Sequence, residues 1–130
     1  MMHVTTEIDP LTGALFARNP YSTEFSSRIA FFDVNDRSST FTCDRTEFLG
    51  RNGTLASPEA MLRSQLSGRV GAGMDPCAAI QVAFDLAEGQ EREIIFTLGT
   101  GRNANDSRDV VQRFRGSAAA RRALEEVWQY

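Results

Sequence analysis

Ala78-Ala79-Ile80-Gln81-Val82-Ala83-Phe84-Asp85-Leu86 runs into the turn Ala87-Glu88-Gly89-Gln90, and Arg92-Glu93-Ile94-Ile95-Phe96-Thr97-Leu98 follows it. The first run sets Ala78, Ile80, Val82, Phe84 and Leu86 on one side and Ala79, Gln81, Ala83 and Asp85 on the other. That two-residue period belongs to a strand with one buried face. The second run repeats it with Ile94, Phe96 and Leu98. With a glycine in the connection, the two runs predict an antiparallel hairpin at the heart of a β fold, with Phe84 and Phe96 in its core.

Upstream, Ser57-Pro58-Glu59 offers a capping serine, a proline for the first helical position and an early acid, so a short helix is predicted to about Leu66. The glycine-rich stretch Gly68 to Gly73 ends it. The first half alternates again. His3 to Ile8 and Ala14 to Arg18 flank Asp9-Pro10-Leu11-Thr12-Gly13, whose proline and glycine suit a chain reversal. In Arg28 to Val34, Ile29 and Phe31 point one way and Ala30, Phe32 and Val34 the other. Apolar residues on both faces predict a central strand covered by further layers. Asn35 to Ser39 breaks it, and Thr40 to Asp44 is the expected partner.

Downstream of Leu98 the period lengthens to about 3.6. Asp106 reads as an N-cap, Val110, Val111 and Phe114 as an apolar stripe, and Gly116 as a terminator. From Ser117, a second stripe of Ala120, Ala123, Leu124, Val127 and Trp128 reaches the last residues, the pattern of a helix that continues further. The fold class is therefore mainly β: an antiparallel β-sandwich with short C-terminal helices.

At 130 residues and 42% hydrophobic, the chain supports one compact domain. A net charge of -3 and a pI near 5.1, with arginines scattered among acids, leave no basic face for a nucleic-acid backbone. No apolar run approaches the roughly 20 residues that cross a bilayer, and MMHVTTEIDP has neither a charged nor an apolar leader region, so a soluble piece is expected. Cys43 and Cys77 read as free, buried thiols without metal-ligand spacing; no metal and no cofactor is expected. His3 reads as a surface residue. The glycine clusters at 50–53, 68–73 and 99–101 lack the strand and helix context of a phosphate site and read as turns.

Two constellations bear on chemistry. Asp33, Asp36, Asp44 and Glu47 lie in or beside one predicted hairpin, so a carboxylate pair for glycoside chemistry is one reading, and ordinary solvated acids the other. In Cys43-Asp44-Arg45-Thr46-Glu47-Phe48-Leu49-Gly50-Arg51-Asn52-Gly53, the planar donors of Arg45 and Arg51 and the carboxylate of Glu47 suit adjacent sugar hydroxyls. The same residues also suit an arginine–acid network that holds a long loop. Both readings stay open on chemistry alone.

This segment, with Asn19-Pro20-Tyr21-Ser22-Thr23-Glu24-Phe25, Ala30-Phe31-Phe32-Asp33-Val34, Gly71-Ala72-Gly73-Met74-Asp75-Pro76-Cys77-Ala78-Ala79, Leu86-Ala87-Glu88-Gly89-Gln90 and Gln112-Arg113-Phe114-Arg115, resembles the cyclic β-1,2-glucan synthases. The resemblance runs from about Pro20 to the C-terminus and extends to the sandwich domain of the cellobiose phosphorylase-like family, glycoside hydrolase family 94. It implies part of a large two-sheet sandwich over residues 1–116 and the start of a linker helix over 117–130, ahead of a helical barrel that carries the catalytic acid. No catalytic residue of that family falls on a position here.

The expectation is a noncatalytic module that supports the barrel and binds glucan weakly through Arg45, Glu47 and Arg51. Its partners would be a β-glucan or oligosaccharide, the remainder of the parent enzyme and, through exposed sheet edges, a second copy in a homodimer. A cytoplasmic location is expected, attached to a bacterial parent of the inner membrane. The rival readings are a purely structural element without sugar affinity and an independent enzyme using the Asp33 to Glu47 acids.

Overall fold

Asp9 makes the first reversal of the chain. One carboxylate oxygen accepts from the Thr12 amide at 3.1 Å and from the Thr12 hydroxyl at 2.6 Å, and the Asp9 carbonyl accepts from the Gly13 amide at 2.8 Å. The flanking strands β1 (Thr5–Ile8) and β2 (Leu15–Arg18) pair antiparallel with Ile8 opposite Leu15, as the turn residues predict. A computed structural model describes residues 3–129 of the chain.

Strand β3 (Ile29–Val34) bonds β2 on one side and the last strand, β6 (Phe96–Gly101), on the other. The order of this sheet is β1-β2-β3-β6, so β3 is central, as its two-faced pattern requires. On one face Ala14, Phe16, Ile29 and Phe31 form a core with Val111 of α2 (Ala104–Phe114). The other face looks toward a two-stranded sheet of β4 (Ser39–Asp44) and β5 (Pro76–Val82). Leu15 and Val34 of the larger sheet and Phe41 and Ile80 of the smaller line a space of about 600 Å³. Thr6, Ala17 and Phe32, with Cys43 and Ala78, line another of about 310 Å³. Two antiparallel sheets with C-terminal helices match the expected class and are consistent with a sandwich, although its interior is only partly filled.

A short strap joins the sheets along one side. Gly68 donates its amide to the Phe41 carbonyl at 2.7 Å, and Cys43 donates to the Arg69 carbonyl at 2.8 Å, which occupies the outer edge of β4. Two residues on, the Gly71 carbonyl accepts from the Thr6 amide at 3.0 Å and so occupies the outer edge of β1. The open edges are left at β5 and β6.

Several expectations are corrected. The run 78–98 is no hairpin: β5 pairs with β4 and β6 with β3, and residues 83–95 cross irregularly from one sheet to the other. Thr40 to Asp44 likewise pairs with β5 rather than with the strand that precedes it. Alternation marks a segment as a strand but does not name its partner, and here each run finds a complementary surface in a different sheet. The predicted faces shift as well. Ala79 is buried and Ala78 exposed, whereas Phe84 and Phe96 are 48% and 50% exposed. The predicted helix at 57–66 is a single 3₁₀ turn, Glu59–Leu62, after which Leu66 is buried against Ala60 and Ala79.

At the start of α2 the cap is Asn103, not Asp106. The Asn103 side chain accepts from the Asp106 amide at 2.9 Å, while the Asp106 carboxylate reaches back to the Arg102 amide at 2.9 Å, a reciprocal arrangement at the helix mouth. Helix α3 spans Ser117–Trp128, and Leu124, Val127 and Trp128 of its stripe are exposed. Two buried acids fasten α2 to the sheet. Asp9 accepts from Arg108 at 2.8 Å, and Asp33 accepts from Arg115 at 2.9 and 3.1 Å.

Candidate functional site: the arginine–acid loop after β4

The strand β4 ends at Asp44, which is both buried and a helix cap. Its carboxylate accepts from the Thr46 amide at 3.0 Å and opens α1 (Arg45–Leu49), while its second oxygen accepts from Arg69 at 2.7 Å. The Arg69 bond, working against burial, holds the Asp44 carboxyl below its ordinary value. Glu47 lies in the first turn of α1, where a negative charge suits the helix dipole. It accepts from the amide and hydroxyl of Ser67. Burial pushes the Glu47 carboxyl up, but the Ser67 bonds and the nearby Arg63 charge outweigh it, so the net shift is downward.

Asp44, Thr46 and Glu47 thereby form one wall of a shallow cleft of about 580 Å³, and Arg63, Ser67 and Arg69 form the other. Of the three predicted sugar contacts, Glu47 lies in this cleft. Arg45, at the helix start, is exposed and reaches toward Asp75 at 3.9 Å. Arg51 is exposed just past the helix end. Neither arginine is among the residues that line the cleft. Arg63 and Arg69 do line it and were not singled out from sequence. Their separation from Glu47 along the chain hides them: the strap brings Arg69 back, and the Gln81 side chain donates to the Arg63 carbonyl at 2.8 Å.

Two glycines of the Phe-Leu-Gly-Arg-Asn-Gly stretch have a backbone explanation. Gly50 closes α1 with φ +77°, a conformation that favours glycine, and its amide donates to the Thr46 carbonyl at 2.9 Å. A Cβ at Gly53 would collide with the Leu49 carbonyl oxygen. The loop therefore folds back on the helix it has just left.

The remaining acids of the rival carboxylate reading are also engaged. Asp33 is buried in its pair with Arg115. Asp36 accepts from the amide and hydroxyl of Ser38 and from Arg92, contacts that lower its pKa to about 2. Cys43 and Cys77 are both free. Cys77 packs on the Ala60–Leu66–Ala79 cluster, and both cysteines line the space of about 310 Å³ between the sheets. No group of residues suited to a metal ion is present among the described residues.

The family profile described as glycosyl hydrolase 94, supersandwich domain, matches residues 1–117. The chain belongs to that family. The match ends at the first residue of α3, so the supersandwich profile covers all six strands and α2. The supersandwich chain is also 34% identical over 128 residues to the cyclic beta-(1,2)-glucan synthase NdvB of Rhizobium meliloti (strain 1021). That alignment takes in 96% of this chain and 4% of the synthase, so the chain spans a small fraction of the relative's length. No helix among the described residues is long and apolar enough to cross a membrane.

Proposed function

We propose that this supersandwich domain is a noncatalytic module of a carbohydrate-active glycosyltransferase or glycoside phosphorylase of the cyclic β-1,2-glucan synthase type. In this reading it supports a catalytic helical barrel, sits on the cytoplasmic side of an inner-membrane parent, and touches glucan weakly. The observation that carries the noncatalytic half is the state of its acids. Asp33, Asp36, Asp44 and Glu47 each hold a structural partner, and the shifts at Asp36, Asp44 and Glu47 are all downward. A glycosidic general acid needs the opposite, a carboxyl kept protonated near neutral pH.

Glucan contact is assigned to Glu47 in the cleft, to Arg45 at the start of the same helix and to Arg51 just past its end. The exposed guanidinium forks of the two arginines offer planar donors to vicinal hydroxyls, and Glu47 offers acceptor positions beyond those that Ser67 uses. Affinity is modest, because among the described residues no aromatic ring lines the cleft for a sugar to stack on. Calorimetric titration with linear β-1,2- and β-1,4-glucans tests this. Binding that weakens in Arg45→Ala and Arg51→Ala supports the assignment, and equal binding by all three proteins removes these arginines from the site.

One specific observation favours a second reading, a purely structural and self-associating element without sugar affinity. The Asp44–Arg69 and Glu47–Ser67 contacts already fasten the strap to α1, so the polar cluster has a complete role in holding shape. Absence of binding to either glucan in the same titration would leave that reading standing.

A further inference from the structure

Beside the Asp33–Arg115 clamp, one end of the sandwich is hollow. The space of about 600 Å³ between the sheets is bounded by the β1–β2 turn, the β3–β4 turn, strands of both sheets and Arg115 at the end of α2. Small-molecule sites occupy roughly 300 to 1,000 Å³, and this pocket is walled by strands, turns and a helix end of the same chain. Leu15, Val34, Phe41 and Ile80 give it an apolar floor. Asp33, Asn35, Asp36, Arg37 and Arg115 give it a polar side.

The polar side keeps bonding capacity that the fold does not use. Asp33 is buried, and each of its oxygens takes one bond from Arg115, which leaves each a further acceptor position. Arg115 engages Asp33 and the Thr12 carbonyl through Nε and Nη2, and its Nη1 remains. Asn35 accepts from the Ile95 amide at 3.0 Å and keeps its own side-chain amide donors. Arg37 is exposed and makes no ion pair among the described residues. An apolar occupant would strand these groups without partners. An ion is not favoured either, because the two acids balance the two arginines. A neutral ligand with adjacent hydroxyls satisfies donors and acceptors together, and its C–H face suits the floor. We propose that this pocket is a second sugar subsite, distinct from the cleft after β4, which takes a short neutral stretch of glucan. The proposal rests on the reading that the domain touches glucan and adds a place where it does so.

The probe is sophorose, the neutral β-1,2-linked glucose disaccharide, titrated into the isotope-labelled whole chain while its amide signals are followed by NMR. The signals of Asn35, Arg37 and Ser39 are expected to shift and saturate, and glucuronic acid, a charged probe, to bind more weakly. Arg37→Ala removes one charged donor and should weaken binding about tenfold. Ile80→Phe fills the floor, removes no polar group and should abolish the shifts. Arg37 lies at the surface without an ion-pair partner among the described residues, so its variant keeps the test valid if Ile80→Phe unfolds. Undiminished binding by Arg37→Ala, or tighter binding of glucuronic acid, would overturn the proposal. Shifts confined to Thr46, Glu47 and Ser67 would overturn it and leave the cleft as the sugar site. Absence of any shift, with sophorose and with linear β-1,2-glucan, would remove both sites.

Discussion

Thr6 and Gly71, 65 residues apart, meet backbone to backbone: the Thr6 amide donates to the Gly71 carbonyl at 3.0 Å, and the Gly71 amide returns a bond to the Thr6 hydroxyl at 3.1 Å. This contact ties the strap on β4 to the first strand of the other sheet, so the two sheets are joined on that side by hydrogen bonds as well as facing packing. Gly71 has φ +132°, a region that side-chain-bearing residues avoid, although open space surrounds its missing Cβ.

Gly71→Ala is therefore expected to destabilise through backbone strain, by about 1 to 3 kcal/mol. Urea unfolding monitored by circular dichroism measures it. An unchanged midpoint would mean that the strap relaxes without cost.

Core truncations should separate the two kinds of aromatic. Phe31 is 2% exposed between β3 and α2, and Phe31→Ala should cost about 3 to 5 kcal/mol. Phe84→Ala should cost well under that, because the residue is already about half exposed and Arg92 lies over its ring at the surface. Thermal melts of the two variants compare them, and a larger loss at Phe84 would contradict the assignment of core.

That contrast marks what sequence could and could not tell. The β1–β2 hairpin was legible because Pro10 and Gly13 mark a reversal, and the structure adds the Asp9 bonds that close it. The central place of β3 was legible from its two apolar faces, and the start of α3 from the terminator Gly116 and the second apolar stripe that follows it. The partners of β5 and β6 were not. Both runs alternate cleanly, and the glycine turn between them is real, with Gly89 at φ +78°, but alternation is blind to which sheet a strand joins. Of the residues that line the candidate cleft, Asp44, Thr46 and Glu47 belong to one contiguous motif. Arg63 and Arg69 were hidden, because hydrogen bonds bring them close, from Cys43 to the Arg69 carbonyl and from the Gln81 side chain to the Arg63 carbonyl, and such bonds leave no apolar pattern in the sequence.

The clamps on α2 make a third prediction. Asp33→Ala leaves Arg115 without its carboxylate and should cost about 3 kcal/mol, near the lower end for a broken buried pair because Arg115 is about a third exposed. Asp33→Asn keeps hydrogen-bonding capacity and should cost less. Chemical denaturation of both checks the order.

Acid should loosen the same region. Burial raises the Asp9 carboxyl, but bonds from Thr12 and Arg108 more than offset it and leave its pKa lowered; Ser38 and then Arg92 bring Asp36 to about 2. A carboxyl whose folded pKa lies below its unfolded value stabilises fully above the unfolded value, near 4, and loses that contribution as pH falls through the folded one. Stability should thus be flat from pH 7 to about 5 and fall between roughly 4 and 2. Denaturant midpoints measured across that range test this, and Asp9→Asn should flatten the fall. A decline centred near pH 6 would point to other groups.

In the proposed role this supersandwich domain contributes binding and support, with its carboxylates committed to the fold rather than to glycosidic bonds. Incubation of the whole chain with β-1,2-glucan, with and without inorganic phosphate, tests it most directly, followed by release of reducing ends and of sugar phosphate. Neither product should form above the rate without protein. Turnover by the wild-type chain that disappears in Glu47→Gln, with folding intact by circular dichroism, would contradict the account.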